Sequence, residues 1–294
     1  MSKSEKQIFV PDLLATCWTT AGTSKPAVGD ELSPLSLQYR IETASKLGWQ
    51  GFGILHADLM RGVQELGVPG LKKLISDNGI QYVELECIND WFTSGSRREK
   101  SDYVRKNLLN LAAELEAIHV KMGSETDGTI WPWEKLVEEA HQLGVEAQAA
   151  GTRIAIEFLP FSQIDSLETG AKLVDEVNHS AVGLLLDIWH VVHGHTPFEV
   201  VARLPKRYIF GIELNDALLK NENDLFYDTV HNRMYCGEGE FKVSEFIAAI
   251  LATGYEGPYG VEILSDEHRS LDLDEALTRA RDTALAQFIK AQES

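Results

Sequence analysis

Cysteine is scarce: Cys17, Cys87 and Cys236 are the only three in 294 residues. An odd number, widely spaced and without a C-x-x-C pair, supports neither a disulfide framework nor a thiolate zinc site, and a reducing, cytoplasmic compartment fits best. No apolar run approaches the roughly 18 residues of a spanning helix, and the N-terminal stretch with Lys3 and Lys6 has no signal-type apolar region, so the chain reads as soluble. Basic residues are also short, 27 against 45 acidic ones, for a formal charge of -18. Nucleic acid and anionic membranes are thereby disfavoured, because binding them depends on Lys and Arg displacing counterions. Neither a G-x-G-x-x-G turn nor a phosphate-binding P-loop occurs where a doubly wound nucleotide fold needs one. No Pro- or Ser-rich linker divides the chain, which predicts one domain over 1–294.

What is present is an ordinary globular composition, 44% hydrophobic and 24% charged, which excludes bulk disorder. Short runs rich in Val, Ile and Leu alternate with segments of helical period, about eight times, as expected for parallel strands joined by crossover helices. The strand candidates are Phe9–Trp18, Gly51–His56, Gln81–Ile88, His119–Gly123, Arg153–Leu159, Val182–Ile188, Tyr208–Leu214 and Tyr259–Leu264. The helical candidates between them are Ser36–Leu47, Val63–Asp77, Arg98–Ile118, Trp133–Ala150, Leu167–Val177, Pro197–Arg203, Phe241–Ala252 and Asp272–Ala291. Gly48, Gly79, Gly151 and Gly254 stand where left-handed helix caps are wanted. Such units with no nucleotide loop predict an α/β fold, a (β/α)8 TIM barrel.

The second half holds the chemistry. Four successive strand candidates run apolar and then deliver an acid: RIAIEFLP with Glu157, VGLLLDIWH with Asp187, YIFGIELND with Glu213, and YGVEIL with Glu262. In a barrel these strands are neighbours, and the active site forms at their C-terminal ends. Converging carboxylates raise each other's pKa unless a cation compensates, and all-oxygen ligation suits Mg²⁺ or Mn²⁺. For any one acid, pairing with Arg or Lys is the competing reading; four on consecutive strands favour a divalent metal.

This pattern resembles the xylose isomerase-like barrels, the sugar phosphate isomerase and epimerase family that includes ketose epimerases and inosose dehydratases. The likeness is strongest from Arg153 to Leu264. It implies metal ligands on strands five to eight, here Glu157, Asp187, Glu213 and Glu262. At Glu213-Leu214-Asn215-Asp216 the family commonly reads H-x-K-D, so a carboxylate replaces an imidazole. That favours Mn²⁺ or Mg²⁺ over Zn²⁺ or Co²⁺ and leaves Glu213 with the alternative of a pairing role, His231 or water then completing the coordination. His190, three residues after Asp187, matches a substrate-binding histidine, whereas His193 and His195 read as structural. Arg233, before Cys236-Gly237-Glu238-Gly239, resembles R-x-x-P-G-E-G, whose arginine reaches into the pocket and whose glycines admit close backbone approach.

The resemblance implies an isomerase or epimerase acting on a sugar or keto-sugar, unphosphorylated because no basic or backbone-lined phosphate pocket is recognisable: Glu157 and Glu262 exchange a proton beside a carbonyl polarised by the metal, through an enediolate. Expulsion of a β-hydroxyl would instead give a dehydratase or lyase acting on a keto-cyclitol or 3-keto-glycoside. EFLPFS points to that branch, as does Gln163 where several epimerases carry Glu. DNA-repair endonucleases share this barrel, but they need more histidines and a basic face. A sugar-binding scaffold without chemistry would not need converging acids. Symmetric homo-oligomers are common among such enzymes. Weaker pocket candidates are His56, Glu84 and Glu86, each read first as structural. Trp18, Trp91, Trp131 and Trp133 are predicted in loops at the strand ends, as an aromatic lid.

Overall fold

The computed structural model describes residues 9–220 and 223–293; the segment with Lys3 and Lys6 lies outside them. Eight parallel strands close into one barrel in chain order: β1 Leu13–Ala15, β2 Gly51–Leu55, β3 Tyr82–Ile88, β4 His119–Met122, β5 Ile154–Glu157, β6 Val182–Asp187, β7 Ile209–Leu214 and β8 Tyr259–Val261. Helices connect them on the outside, as the alternation predicts for a TIM barrel. No helix among the described residues is long and apolar enough to cross a membrane.

Most helices follow the expected spans, and their ends show why. Gly48, Gly79, Gly151 and Gly254 take φ of 80°, 65°, 71° and 78°. After Gly79 the Ile80 N–H reaches back to the Ile75 carbonyl at 3.2 Å, closing a Schellman turn that stops the helix. Ser36 and Ser166 cap the starts of 37–46 and 167–177 through their side chains. Of the boundaries that differ from expectation, two shift most. The second helix begins at His56 directly after β2, because Asp58, Leu59 and Gly62 already form a buried helical face, and it kinks at Gly67 and Pro69. The first strand is only Leu13–Ala15, since Cys17–Thr20 turns into a short buried helix.

Along each strand the two-residue period divides the molecule in two. Val83, Leu85, Val120, Met122, Ile154 and Ile156 face outward into the main apolar core beneath the helices. Their neighbours in sequence, Glu84, Glu86, His119, Lys121 and Glu157, turn to the other face, where they pair with one another, with His190 and, from Lys121, across to Glu213. Ala155, Leu185 and Phe210 form a small separate apolar cluster.

Candidate active site

Strand register puts Asp187 opposite Glu213 and Glu213 opposite Gly260, two residues before Glu262 on the same face. One carboxylate oxygen from each of Glu157, Asp187, Glu213 and Glu262 lies within 4.8 Å of the others. Bonds of about 2.1 Å span about 4.2 Å across an ion, so this group can close on a small divalent cation. Glu213 Oε2 is buried with no hydrogen-bond partner, as an oxygen reserved for a cation would be. Glu157, Asp187 and His190 form a second such group.

Two fixed cations also enter the cluster. Arg233 donates to Asp187 Oδ2 at 2.5 Å and to Glu262 Oε2 at 3.0 Å. Lys121 Nζ on β4 lies 2.6 Å from Glu213, 3.0 Å from Glu86 and 3.3 Å from Glu262. His190 Nε2 lies 3.4 Å from Glu157. Five carboxylates thus meet two permanent positive charges, and the remainder is visible in their acidities. Burial raises Glu213 well above the usual carboxylate range, with Glu262 adding to it. Burial likewise pushes Glu262 up to about 7, against the pull of Lys121 and Arg233. At Glu157 burial is outweighed by Lys121 and His190, and the group falls to about 2. At Lys121 burial opposes the charge, yet Glu213, Glu262 and Glu86 hold the ammonium protonated well above its ordinary value.

The residues after β7 serve the site in ways the motif did not reveal. Asn215 Nδ2 donates to Asp187 Oδ1 at 2.8 Å, beside the Trp189 N–H at 2.7 Å, so that oxygen is held by two donors. Asp216 accepts from the backbone of Ala217, Gly237 and Phe241 at 2.8 to 2.9 Å. A Cβ at Gly239 would meet Asp216 Oδ1 at 2.4 Å. These glycines admit the close approach their motif suggested, with the loop after Arg233 wrapping the Asp216 carboxylate. Thr229 completes the hold on Arg233, its carbonyl accepting from Nε at 3.0 Å and its hydroxyl from a terminal nitrogen at 2.8 Å.

A cavity of about 580 Å³ lies against the cluster, lined by Lys121, Glu157, His190, Arg233 and Glu262. His56 and Glu86 line it too, whereas Glu84 pairs with His119 at 2.9 Å. Its aromatic wall is Phe161 and Phe226, edge to face at 5.8 Å, with Trp18. The expected tryptophan lid is otherwise corrected. Trp91 is fully buried and donates to the Gly123 carbonyl at 2.8 Å, while Trp131 and Trp133 pack under Lys135 and Lys172. His231 pairs with Asp266 at 3.0 Å and stacks on Tyr227, outside the acidic group. Gln163 is spent on the Trp131 backbone, accepting and donating at 2.8 Å. His193 packs on Trp189 and Phe241, as a structural histidine does.

Lys121 is the main residue the sequence reading missed. The signal was there: in HVKM the two-residue period puts His119 and Lys121 on the lumen side, the face that carries Glu84 and Glu86 on the neighbouring strand.

The pattern of the xylose isomerase-like TIM barrel matches residues 41–284. The chain belongs to that family. Within it, the protein is 28% identical over 244 residues to a 3-dehydroshikimate dehydratase of Pseudomonas putida, a match covering 80% of this chain and 37% of that relative. The chain thus spans little more than a third of that dehydratase's length. An inosose isomerase of Bacillus subtilis is 24% identical over 151 residues, 51% of this chain and 53% of the relative. Among solved barrels of the family, the IOLI protein with a bound zinc atom superposes with TM-score 0.82 at 19% identity, covering 95% of this chain and 99% of that one. A D-psicose 3-epimerase of Clostridium cellulolyticum H10 gives 0.70 at 18%, covering 96% and 98%. The dehydratase, the isomerase and the epimerase are enzymes by name.

Proposed function

We propose that the protein is a divalent-metal-dependent isomerase or epimerase that moves a proton beside the carbonyl of a sugar or keto-sugar. The observation carrying this reading is the convergence of four strand-end carboxylates on one point at the wall of a cavity. Glu157, Asp187, Glu213 and Glu262 would hold the cation, with Mn²⁺ or Mg²⁺ preferred for hard oxygen ligands and Zn²⁺ or Co²⁺ as alternatives. The chemistry such an ion supplies is positive charge beside the carbonyl oxygen, which lowers the cost of breaking the adjacent C–H bond.

The chain's own residues do the rest. Glu157, the most exposed of the four at 14% of its side chain, faces the cavity and accepts the proton from the substrate carbon. Glu262, which lines the same cavity, returns a proton to the same carbon. His190 orients a substrate oxygen, and Arg233 fixes Asp187 and Glu262 at the floor while lining the cavity for the substrate.

A second reading is elimination: Glu157 takes the proton and a β-hydroxyl leaves as water, protonated by Glu262. The dehydratase relative, which matches 80% of the chain, favours it. Ketoses, keto-cyclitols, 3-keto-glycosides and 3-dehydroshikimate would be incubated with Mn²⁺ in deuterated buffer. Deuterium at the carbon beside the carbonyl without new ultraviolet absorbance supports epimerisation; an enone or aromatic product supports elimination. Absence of both across the panel, with metal bound, overturns the reading.

A further inference from the structure

We propose that Lys121 is the internal counter-ion of the acidic cluster, and that a divalent ion must displace its ammonium from Glu213 and Glu262 in order to bind. This rests on the metal-site reading above and concerns a residue outside the four acids. Lys121 is 1% exposed, and its Nζ touches two of the four expected ligands, at 2.6 and 3.3 Å. An ammonium at those distances sits within a few ångströms of any ion the same oxygens would share. Like charges that close repel strongly in a buried setting, so ammonium and metal compete for the same negative potential. The geometry also provides the retreat. Glu86 Oε2, 3.0 Å from Nζ, belongs to β3 and lies outside the four-acid group. It can keep the ammonium paired after Glu213 and Glu262 are given up, so displacement does not strand a buried charge. Glu213 Oε2, without a partner, is already free to meet the incoming ion. Lys121 thus holds the carboxylates together until metal arrives and sets how tightly it binds.

The test is calorimetric titration of Mn²⁺ into metal-stripped wild-type protein and into Lys121→Met, which keeps the length and removes the charge. Competition predicts binding about tenfold or more tighter in the variant, and a larger rise in melting temperature on adding Mn²⁺. Equal or weaker binding in the variant, with Mn²⁺ bound by the wild type, overturns the inference and leaves the metal site standing. No binding in either protein overturns both. Should Lys121→Met not fold, a crystal structure of the wild type with Mn²⁺ decides. Nζ more than about 4 Å from Glu213 and Glu262 but still beside Glu86 supports displacement. An ion among the four acids with those contacts kept refutes it.

Discussion

The outer and inner faces of one barrel obey opposite rules. Outside the strands, Ile154, Ile156, Leu184 and Leu186 bury against helices with no polar partner to satisfy. Inside, one residue along, Glu157, Leu185 and Asp187 turn to the axis, and two of those three carry charge. Outer positions tolerate loss in proportion to volume, because their contribution is area removed from water. Inner positions answer to charge, because each buried carboxylate depends on a specific donor.

That contrast can be broken deliberately. Glu262→Gln is expected to lower turnover about 1,000-fold or more, with circular dichroism and melting showing a folded protein. Full activity in this variant would remove Glu262 from the proton-transfer pair. Ile156→Ala should do the reverse, costing about 3 kcal/mol in urea unfolding while activity per folded molecule stays close to normal. A comparable effect on turnover would show that the two faces are not separable.

A third measurement uses pH. His268 lies between the lumen loops, its Nε2–H facing the Thr19 carbonyl at 2.9 Å and its Nδ1 accepting from the Tyr235 hydroxyl. Burial lowers it to about 4 from the ordinary 6.5, so the unfolded chain binds the proton more readily. The stability this neutral histidine contributes is complete above about pH 6.5 and is lost as pH falls toward 4, by about 3 kcal/mol in all. His268→Gln should flatten that part of the stability curve; an unchanged slope assigns the loss to other groups. The smallest effect is expected from Asp216→Asn, which weakens the clasp on the Arg233 loop. About 1 kcal/mol of stability and a several-fold fall in turnover should follow, read by melting and initial rates.

The barrel was legible from eight strand and helix units without a nucleotide loop, and the four acids from their place at the ends of four successive apolar runs. Lys121 was hidden because a buried lysine makes sense only with its partners, and Glu86, Glu213 and Glu262 lie 35, 92 and 141 positions away. The tryptophans misled for another reason. A large ring between elements packs into whichever apolar surface is nearest, and that choice is made in three dimensions. The glycines of Cys236-Gly237-Glu238-Gly239 were read correctly as sites of close approach, but what approaches is Gln287 at Gly237 and, at Gly239, Asp216, which adjoins the unusual Glu213 segment and drew no notice of its own.

The contacts of Lys121 run from β4 to β7 and β8, strands on opposite walls of the closed sheet. A strut across the diameter ties the roundness of the cylinder to the charge state of its mouth. An ion that takes the place of the ammonium there cuts the strut, and a joint change in amide exchange on β4 and β7 would report its arrival from a distance.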